Sequence, residues 1–313
     1  MLTLLWGVAS EEPLAAVAEV LEAHGSPTFL LDQRRVLSTE LQMHGECRGY
    51  AKADGTRVEL EQITACYIRP YDSRRLPVIQ QTGPQSEAAA HAAYLEDALL
   101  AWLEVTPALV VNRPSSMLAN GSKPYQLELI GRAGFAIPRT LVTTDPEAVE
   151  RFVGECGEVV YKSVSGVRSR VTRFSPSHVQ RLGDTVNCPT QFQEYIRGWD
   201  YRAHVVGDDI FSCRIQCEAD DYRYAAGECF PPRITAERLP RSVEERLLKM
   251  TGDMRLHVAG IDLRRTPDDE WFCFEVNPSP AFTFYEHRTG QGIARAIALL
   301  LTRNTSAAAA SVN

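Results

Sequence analysis

Two rhythms of apolar residues run through this chain. "LTLLWGV" near the N-terminus is a continuous apolar run of strand length, and residues 12 to 24 follow with helical spacing as far as Gly25. "PTFLLD" predicts a second strand, so the chain opens β-α-β, the signature of a parallel sheet. "ITACYIRP" predicts a further strand ended by Pro70. Residues 86 to 104 predict a long helix with Ala, Leu and Trp102 on its apolar face, and "ALVVN" predicts a strand that runs into a loop at "RPSSM".

The pattern changes near Ala119. "KPYQLELIGRAGF" predicts a helix opened by Pro124 in its first turn, and "IPRTLVT" a strand. "DPEAVERFVGECG" predicts a helix with Asp145 as N-cap and a stop at Gly154 or Gly157. "EVVYKSV" and "RVTRF" predict a hairpin across the small, polar tip "SGVRS". Strands then dominate: "PTQFQEYI", "DYRAHVVG" and "DIFSCRIQC", a helix over roughly 241 to 257, strands "AGIDLRR" and "WFCFEVN", and a last helix "GQGIARAIALLL". The expected division is an α/β domain over 1–118, a central lobe over 119–190, a C-terminal lobe over 191–303, and a disordered tail over 304–313 whose residues have too little bulk to pack.

Composition narrows the function. A net charge of -7 argues against a general affinity for nucleic acid or an anionic membrane. No apolar run reaches the roughly 20 residues that span a bilayer. The apolar start lacks the basic flank of a signal peptide, which leads us to expect a cytoplasmic protein. The eight cysteines form no CxxC pair and read as buried thiols. Only four of the 33 basic residues are lysines (Lys52, Lys123, Lys162 and Lys249), so a lysine here carries some information about a site.

The stretch "CFEVNPSPAF" carries the strongest chemical signal. "AGIDLRR" and "WFCFEVN" flank the turn "TPDDE" and should pair as an antiparallel hairpin. Pairing Arg265 with Glu270 or Trp271 puts Asp262 opposite or next to Glu275, and strand alternation puts Asn277 on the same face. Two carboxylates and an amide oxygen make a partial shell suited to magnesium. The competing reading is a solvated sheet face. Opposed carboxylates repel, which weighs against that reading unless a cation or base is near. Lys123, at a helix start, and Lys162, before the small-residue loop, are placed to reach phosphate, although an isolated surface lysine is the commoner situation. The edge of "FQEYIRGWDYR" could offer backbone groups to an adenine, and an ordinary core strand has the same spacing.

The series "GSKP", "VVYKSVSGVRSR", "QFQEYIRGWDYRAHVVG", "GIDLRR" and "FEVNPSPAF" resembles the ATP-grasp carboxylate–amine ligases, in the branch of the ribosomal-protein S6 glutamate ligase. "YIRP", "SKPYQLELIGRAGFAIPRTLVTTDPEAVERF" and "DDYRYA" look like the graspetide or microviridin-type ligases that cyclise ribosomal peptides. The resemblance implies an ATP-grasp fold in which two lobes enclose ATP and the first domain precedes them. It implies that Lys123 and Lys162 hold ATP phosphates, that Gln193, Glu194, Tyr195 and Ile196 line the adenine pocket, and that Asp262, Glu275 and Asn277 carry Mg2+, with Mn2+ as an alternative ion. It also implies that Lys162, Arg202 and Arg214 serve catalysis, the two arginines facing phosphate or a substrate carboxylate. The implied activity turns a carboxylate into an acyl phosphate and joins it to an amine or hydroxyl on a peptide or protein, with a homodimer left open. Asp221 and Arg223, in a charged segment with two tyrosines, are expected to contact the peptide substrate. The alternatives are a ligase of small amino acids and an inactive nucleotide-binding regulator.

Overall fold

The structure is a computed structural model that describes residues 1–163, 171–217 and 232–303. The first part holds β1 (Leu2–Gly7), β2 (Thr28–Asp32), β3 (Glu40–Met43), β4 (Gly49–Ala53), β5 (Thr56–Glu59), β6 (Ile63–Arg69) and β7 (Leu109–Val111). The expected β-α-β opening is present: β2, β1, β6 and β7 form a parallel sheet in that order, with helix Glu12–Ala23 as the first crossover. A separate antiparallel sheet of β3, β4 and β5 adds three strands that the sequence pattern did not indicate. The long helix runs Glu87–Val105, capped by the Ser86 hydroxyl, and buries Leu95, Leu99 and Trp102. "RPSSM", expected as a loop, contains one helical turn, Pro114–Met117, because a proline at the first position suits a helix start.

The central sheet is antiparallel, in the order β10-β9-β11-β8, built from β8 (Thr140–Thr143), β9 (Val159–Ser163), β10 (Thr172–Arg173) and β11 (Thr190–Glu194). Helix Pro146–Cys156 covers one face with Val149 and Phe152. Its N-cap is Asp145, whose carboxylate accepts from the Glu147 N–H at 2.9 Å, and Gly157 at φ +76° ends it. The loop over 164–170 lies outside the described residues.

The largest sheet orders β12 (Trp199–Val206), β13 (Asp209–Gln216), β14 (Arg233–Ala236), β15 (Val258–Arg265) and β16 (Trp271–Asn277) as β14-β13-β12-β15-β16. One face is apolar: Tyr201, Ala203, Val205, Ile261, Leu263 and Val276 pack under helix Arg241–Asp253. The predicted helix over 241–257 stops at Asp253, and Arg255 at φ +54° turns the chain back into β15. Leu127 and Ile130, from helix Lys123–Arg132, belong to this same core. Core membership therefore cuts across the expected division between the central lobe (119–190) and the C-terminal lobe (191–303).

The lobes are tied together by apolar packing and by buried polar side chains. Helix Ile293–Thr302 places Ile293, Ile297 and Leu301 in one core with Leu5 and Val111 of the first sheet, Leu14 and Val17 of helix Glu12–Ala23, and Val206 and Val258 of the last sheet. Each such side chain contributes roughly 1.5–3 kcal/mol when removed from water. Asn112, 1% exposed, completes the junction. Its amide donates to the carbonyls of Val258 (2.7 Å) and Pro278 (2.6 Å), and its oxygen accepts from the N–H groups of His257 (2.8 Å) and Val258 (3.1 Å). Truncation would leave several of those buried groups without partners. Asn112→Ala should therefore destabilise the protein by roughly 3 kcal/mol or more. Urea unfolding measures this, and a loss below about 1 kcal/mol would show that water replaces the amide at little cost.

Candidate active site

The cleft lies between the central sheet and the polar face of the five-stranded sheet. It encloses about 780 Å³ of space, part of it open to solvent. Lys162 and Val160 line it from β9, Gln193 to Ile196 from β11 and its exit, and Asp200, Asp262, Arg264, Phe274 and Glu275 from the large sheet. Sequence-expected residues from three separate stretches thus share one cleft. Arg264 braces its floor, donating to the Asp200 carboxylate at 2.7 Å and to the Ile196 carbonyl at 2.6 Å. Tyr195 is flanked by Arg173, whose guanidinium lies 3.9 Å from the ring centre.

The β15–β16 hairpin pairs as expected at its turn, Arg265 with Trp271. A bulge then adds one residue to β16 between the Leu263–Cys273 and Asp262–Glu275 pairs. Asp262 consequently stands directly opposite Glu275, and Gly260 opposite Asn277. Two cations hold the two carboxylates. Arg202, the β12 partner of Asp262, donates to Asp262 Oδ1 at 2.6 Å, and Lys123 forms an ion pair with Glu275 Oε1. Arg202 fits because Gly260 has no side chain: a Cβ there would collide with the Arg202 guanidinium and with Pro280. Burial alone would push the Glu275 carboxyl up. The charge and hydrogen bond of Lys123, then Lys162 and Arg202, outweigh it, and Glu275 titrates below its ordinary 4.5. It is therefore an ionised acceptor at neutral pH.

These residues fit a magnesium–nucleotide complex on two counts. Two carboxylates and an amide suit an ion that completes its shell with phosphate and water. Around them Lys123, Lys162 and Arg202 outnumber the two carboxylates by one charge, a balance that favours an anion. The Asn277 side-chain oxygen accepts from the Ser279 N–H at 2.9 Å, which fixes its direction and leaves a lone pair.

Arg214 does not join Arg202. It pairs with Tyr201 on the neighbouring strand, and directly paired residues share a face, so it stands on the side opposite Arg202, 5.5 Å from the Trp199 ring centre. Strand alternation thus separates Arg214 from Arg202, where both were expected to face phosphate or a substrate carboxylate. Asp221 and Arg223 lie outside the described residues. Sequence reasoning also passed over Arg69, Asn112, Gln126 and His204. The signal for Arg69 was a charge closing an otherwise apolar strand; it donates to both Glu11 carboxylate oxygens at 2.6 Å and to the Pro280 carbonyl at 3.1 Å.

With this geometry in place, comparison with known proteins defines the class: an ATP-dependent ligase of the ATP-grasp carboxylate–amine type. The profile of the RimK-like ATP-grasp domain matches residues 121–301, and the chain belongs to that family. A probable alpha-L-glutamate ligase of Chromohalobacter salexigens is 26% identical over 302 residues, covering 89% of this chain and 95% of its own. The ribosomal protein bS6–L-glutamate ligase of Salmonella paratyphi B is 27% identical over 269 residues, covering 79% and 87%. Among solved structures, the ATP-grasp ligase PsnB, in complex with a minimal precursor, Mg and ADP, superposes with a TM-score of 0.81 at 26% identity over 96% of both chains. The macrocyclase MdnC of Microcystis aeruginosa, bound to its precursor peptide MdnA, shares the fold at a TM-score of 0.82 and 23% identity, covering 96% of this chain and 99% of its own. Ligases of this class use ATP and magnesium. Among the described residues no helix is long and apolar enough to cross a membrane.

The polar face also sets a pH response. His204 is buried beside Arg202, accepts from its Nε–H at 3.4 Å, and packs against the Tyr285 ring. Burial first, and the Arg202 charge second, push its imidazole well below its ordinary 6.5. The unfolded chain therefore takes up a proton near pH 6.5 that the folded chain refuses. Stability is full above that pH and falls as pH drops below it, by up to about 1.4 kcal/mol per pH unit for one such group. His257, also shifted down by burial and by Arg113, acts in the same sense. Urea unfolding between pH 7.5 and 5 should show this decline, and His204→Gln should flatten most of it. An equally steep decline in the variant would place the proton uptake elsewhere.

Proposed function

We propose that this ligase acts on a carboxylate of a peptide or protein and joins it to an amine or hydroxyl, using ATP held in the cleft by Lys123, Lys162 and the Gln193–Ile196 edge. The single observation that carries this reading is that Lys162, the Gln193–Ile196 segment, Asp262 and Glu275 line one cleft. The peptide substrate is inferred from the solved ligases that share the fold, whose partners are precursor peptides.

In the first step a substrate carboxylate oxygen attacks the γ-phosphorus. The bond to the β–γ bridging oxygen breaks and ADP departs, leaving an acyl phosphate. In the second step the amine or hydroxyl attacks the acyl carbon, loses its proton, and phosphate leaves with the electrons of the C–O bond. Such phosphoryl transfer needs alignment and charge neutralisation more than covalent assistance. Lys162 and Arg202 supply fixed positive charge on the two walls of the cleft, and Lys123 adds a third from the helix start. Asp262, Glu275 and Asn277 would hold magnesium, or manganese in its place, which would add to the neutralisation of the phosphate oxygens. Arg264 and Asp200 keep the Ile196 carbonyl in place at the cleft edge.

The test uses purified full-length protein, ATP, magnesium, and synthetic peptides carrying Asp or Glu together with Lys or Thr, with free glutamate as the competing acceptor. ADP release together with loss of one water per link identifies peptide cyclisation. Gain of a glutamyl residue identifies glutamate addition, and ADP release with neither identifies a different acceptor. Lys162→Ala should lower turnover by roughly a hundredfold or more and weaken nucleotide binding, whereas Lys52→Ala, a surface residue paired with Glu40, should do neither. Glu275→Gln and Asn277→Ala should remove most activity with a smaller effect on folding. Wild-type turnover of either at saturating magnesium would remove that residue from the metal set.

A further inference from the structure

The bulge in β16 decides which face Glu275 occupies. β16 is the edge strand of its sheet, so every second residue turns its backbone N–H and C=O away from β15. Before the bulge the outward groups are the Trp271 carbonyl and the Cys273 N–H, which bond to Ala136 at 3.1 and 3.0 Å. Regular alternation would next turn Glu275 outward. After the inserted residue the outward position falls instead on Val276. Both of its backbone groups are taken by one side chain: Val276 N–H donates to Gln126 Oε1 at 3.1 Å, and Gln126 Nε2 donates to the Val276 carbonyl at 2.7 Å. Gln126 is 1% exposed, so neither bond is shared with bulk water.

We propose that Gln126 is a positioning residue that locks the bulged register of β16 and so keeps the Glu275 carboxylate opposite Asp262. Without the bulge Glu275 would fall opposite Ile261 and turn onto the apolar face, because a slip of one residue reverses every side chain. The side-chain amide acts as a one-residue substitute for a neighbouring strand, and it can bond to Val276 in this way only when the bulge is present. The same helix carries Lys123 three residues earlier, on the same side, in its ion pair with Glu275. One face of helix Lys123–Arg132 thus holds the side chain of residue 275 and the backbone of residue 276.

This inference rests on the proposed role of Asp262, Glu275 and Asn277 in holding a divalent cation. The experiment measures Mn2+ binding to the full chain with a non-hydrolysable ATP analogue present, by electron paramagnetic resonance, together with melting temperature. Gln126→Met keeps the length of the side chain and removes both hydrogen bonds. It should weaken Mn2+ binding roughly tenfold or more. Leu127→Ala, a cavity in the same helix and core, should lower the melting temperature and leave Mn2+ binding unchanged. If Gln126→Met lowers the melting temperature but binds Mn2+ as the wild type does, while Glu275→Gln loses it, Gln126 is structural only and the proposal fails. If Glu275→Gln also binds Mn2+ normally, the cation site itself is wrong, and the proposal falls with it. Should Gln126→Met not fold, Gln126→Glu, which keeps the acceptor for the Val276 N–H and loses the donor, takes its place with the same direction expected. Wild-type Mn2+ affinity in that variant overturns the proposal.

Discussion

Two carboxylates face each other across neighbouring strands, and the site is arranged around the repulsion between them. Asp262 and Glu275 are directly paired in the β15–β16 register. Unit charges about 5 Å apart repel by on the order of 3 kcal/mol at an effective dielectric near 20. The fold meets this with cations from two other elements: Arg202 from the next strand of the same sheet and Lys123 from a helix packed on the sheet edge. Each demands something further of the structure. Arg202 needs a glycine at 260 to lie flat across the face, and Lys123 needs its helix start held against β16. The positions of one strand, one helix and one glycine therefore follow from a single electrostatic conflict.

The exit of β16 is held by a different kind of contact. Gln126 grips Val276, Asn112 the Pro278 carbonyl, and Arg69 the Pro280 carbonyl. These three side chains are buried and come from three separate parts of the chain. A buried polar side chain is costly unless it is bonded, and here the bonds are specific in direction, which apolar packing is not. Apolar contacts bring the first sheet and the last sheet together over helix Ile293–Thr302. The polar contacts set where residues 276 to 280 lie within that assembly. The two prolines reduce the conformations open to the same segment, so the side-chain grips and the local chain stiffness act in one direction.

Much of this was legible in the sequence, and what was missed has identifiable causes. The hairpin at "TPDDE" gave its register at the turn correctly, because turn chemistry is local. Whether Asp262 fell opposite Glu275 or beside it stayed open, since a bulge of one residue leaves no mark in composition. The sheet of β3, β4 and β5 escaped notice because its strands are only four or five residues long and mix charges with small residues. Arg214 is a different case. Val206 pairs with Asp209 across the two-residue turn at Gly207, and counting back from that turn pairs Arg202 with Cys213. Parity alone then puts Arg214 on the other face, so this placement was legible in the sequence. Arg69, Asn112 and Gln126 act across more than 140 residues of chain at Pro280, Pro278 and Val276, and nothing local predicts such partners.

The pairing of acids and bases also bears on how such a site would take up its nucleotide. Lys123 and Arg202 are largely buried, with side chains 15% and 7% exposed, so neither is well solvated when unpaired. Glu275 and Asp262 neutralise them. In the proposed reading a polyphosphate offers the two cations new partners at the moment a divalent ion offers the two carboxylates theirs. The exchange swaps one set of charge pairs for another and leaves no buried charge exposed in between, so most of the electrostatic organisation is present before binding. A site built from the carboxylates alone would repel the nucleotide, and one built from the cations alone would have to bury unpaired charge. The excess of one positive charge, with Lys162 across the cleft, biases the exchange toward an anion.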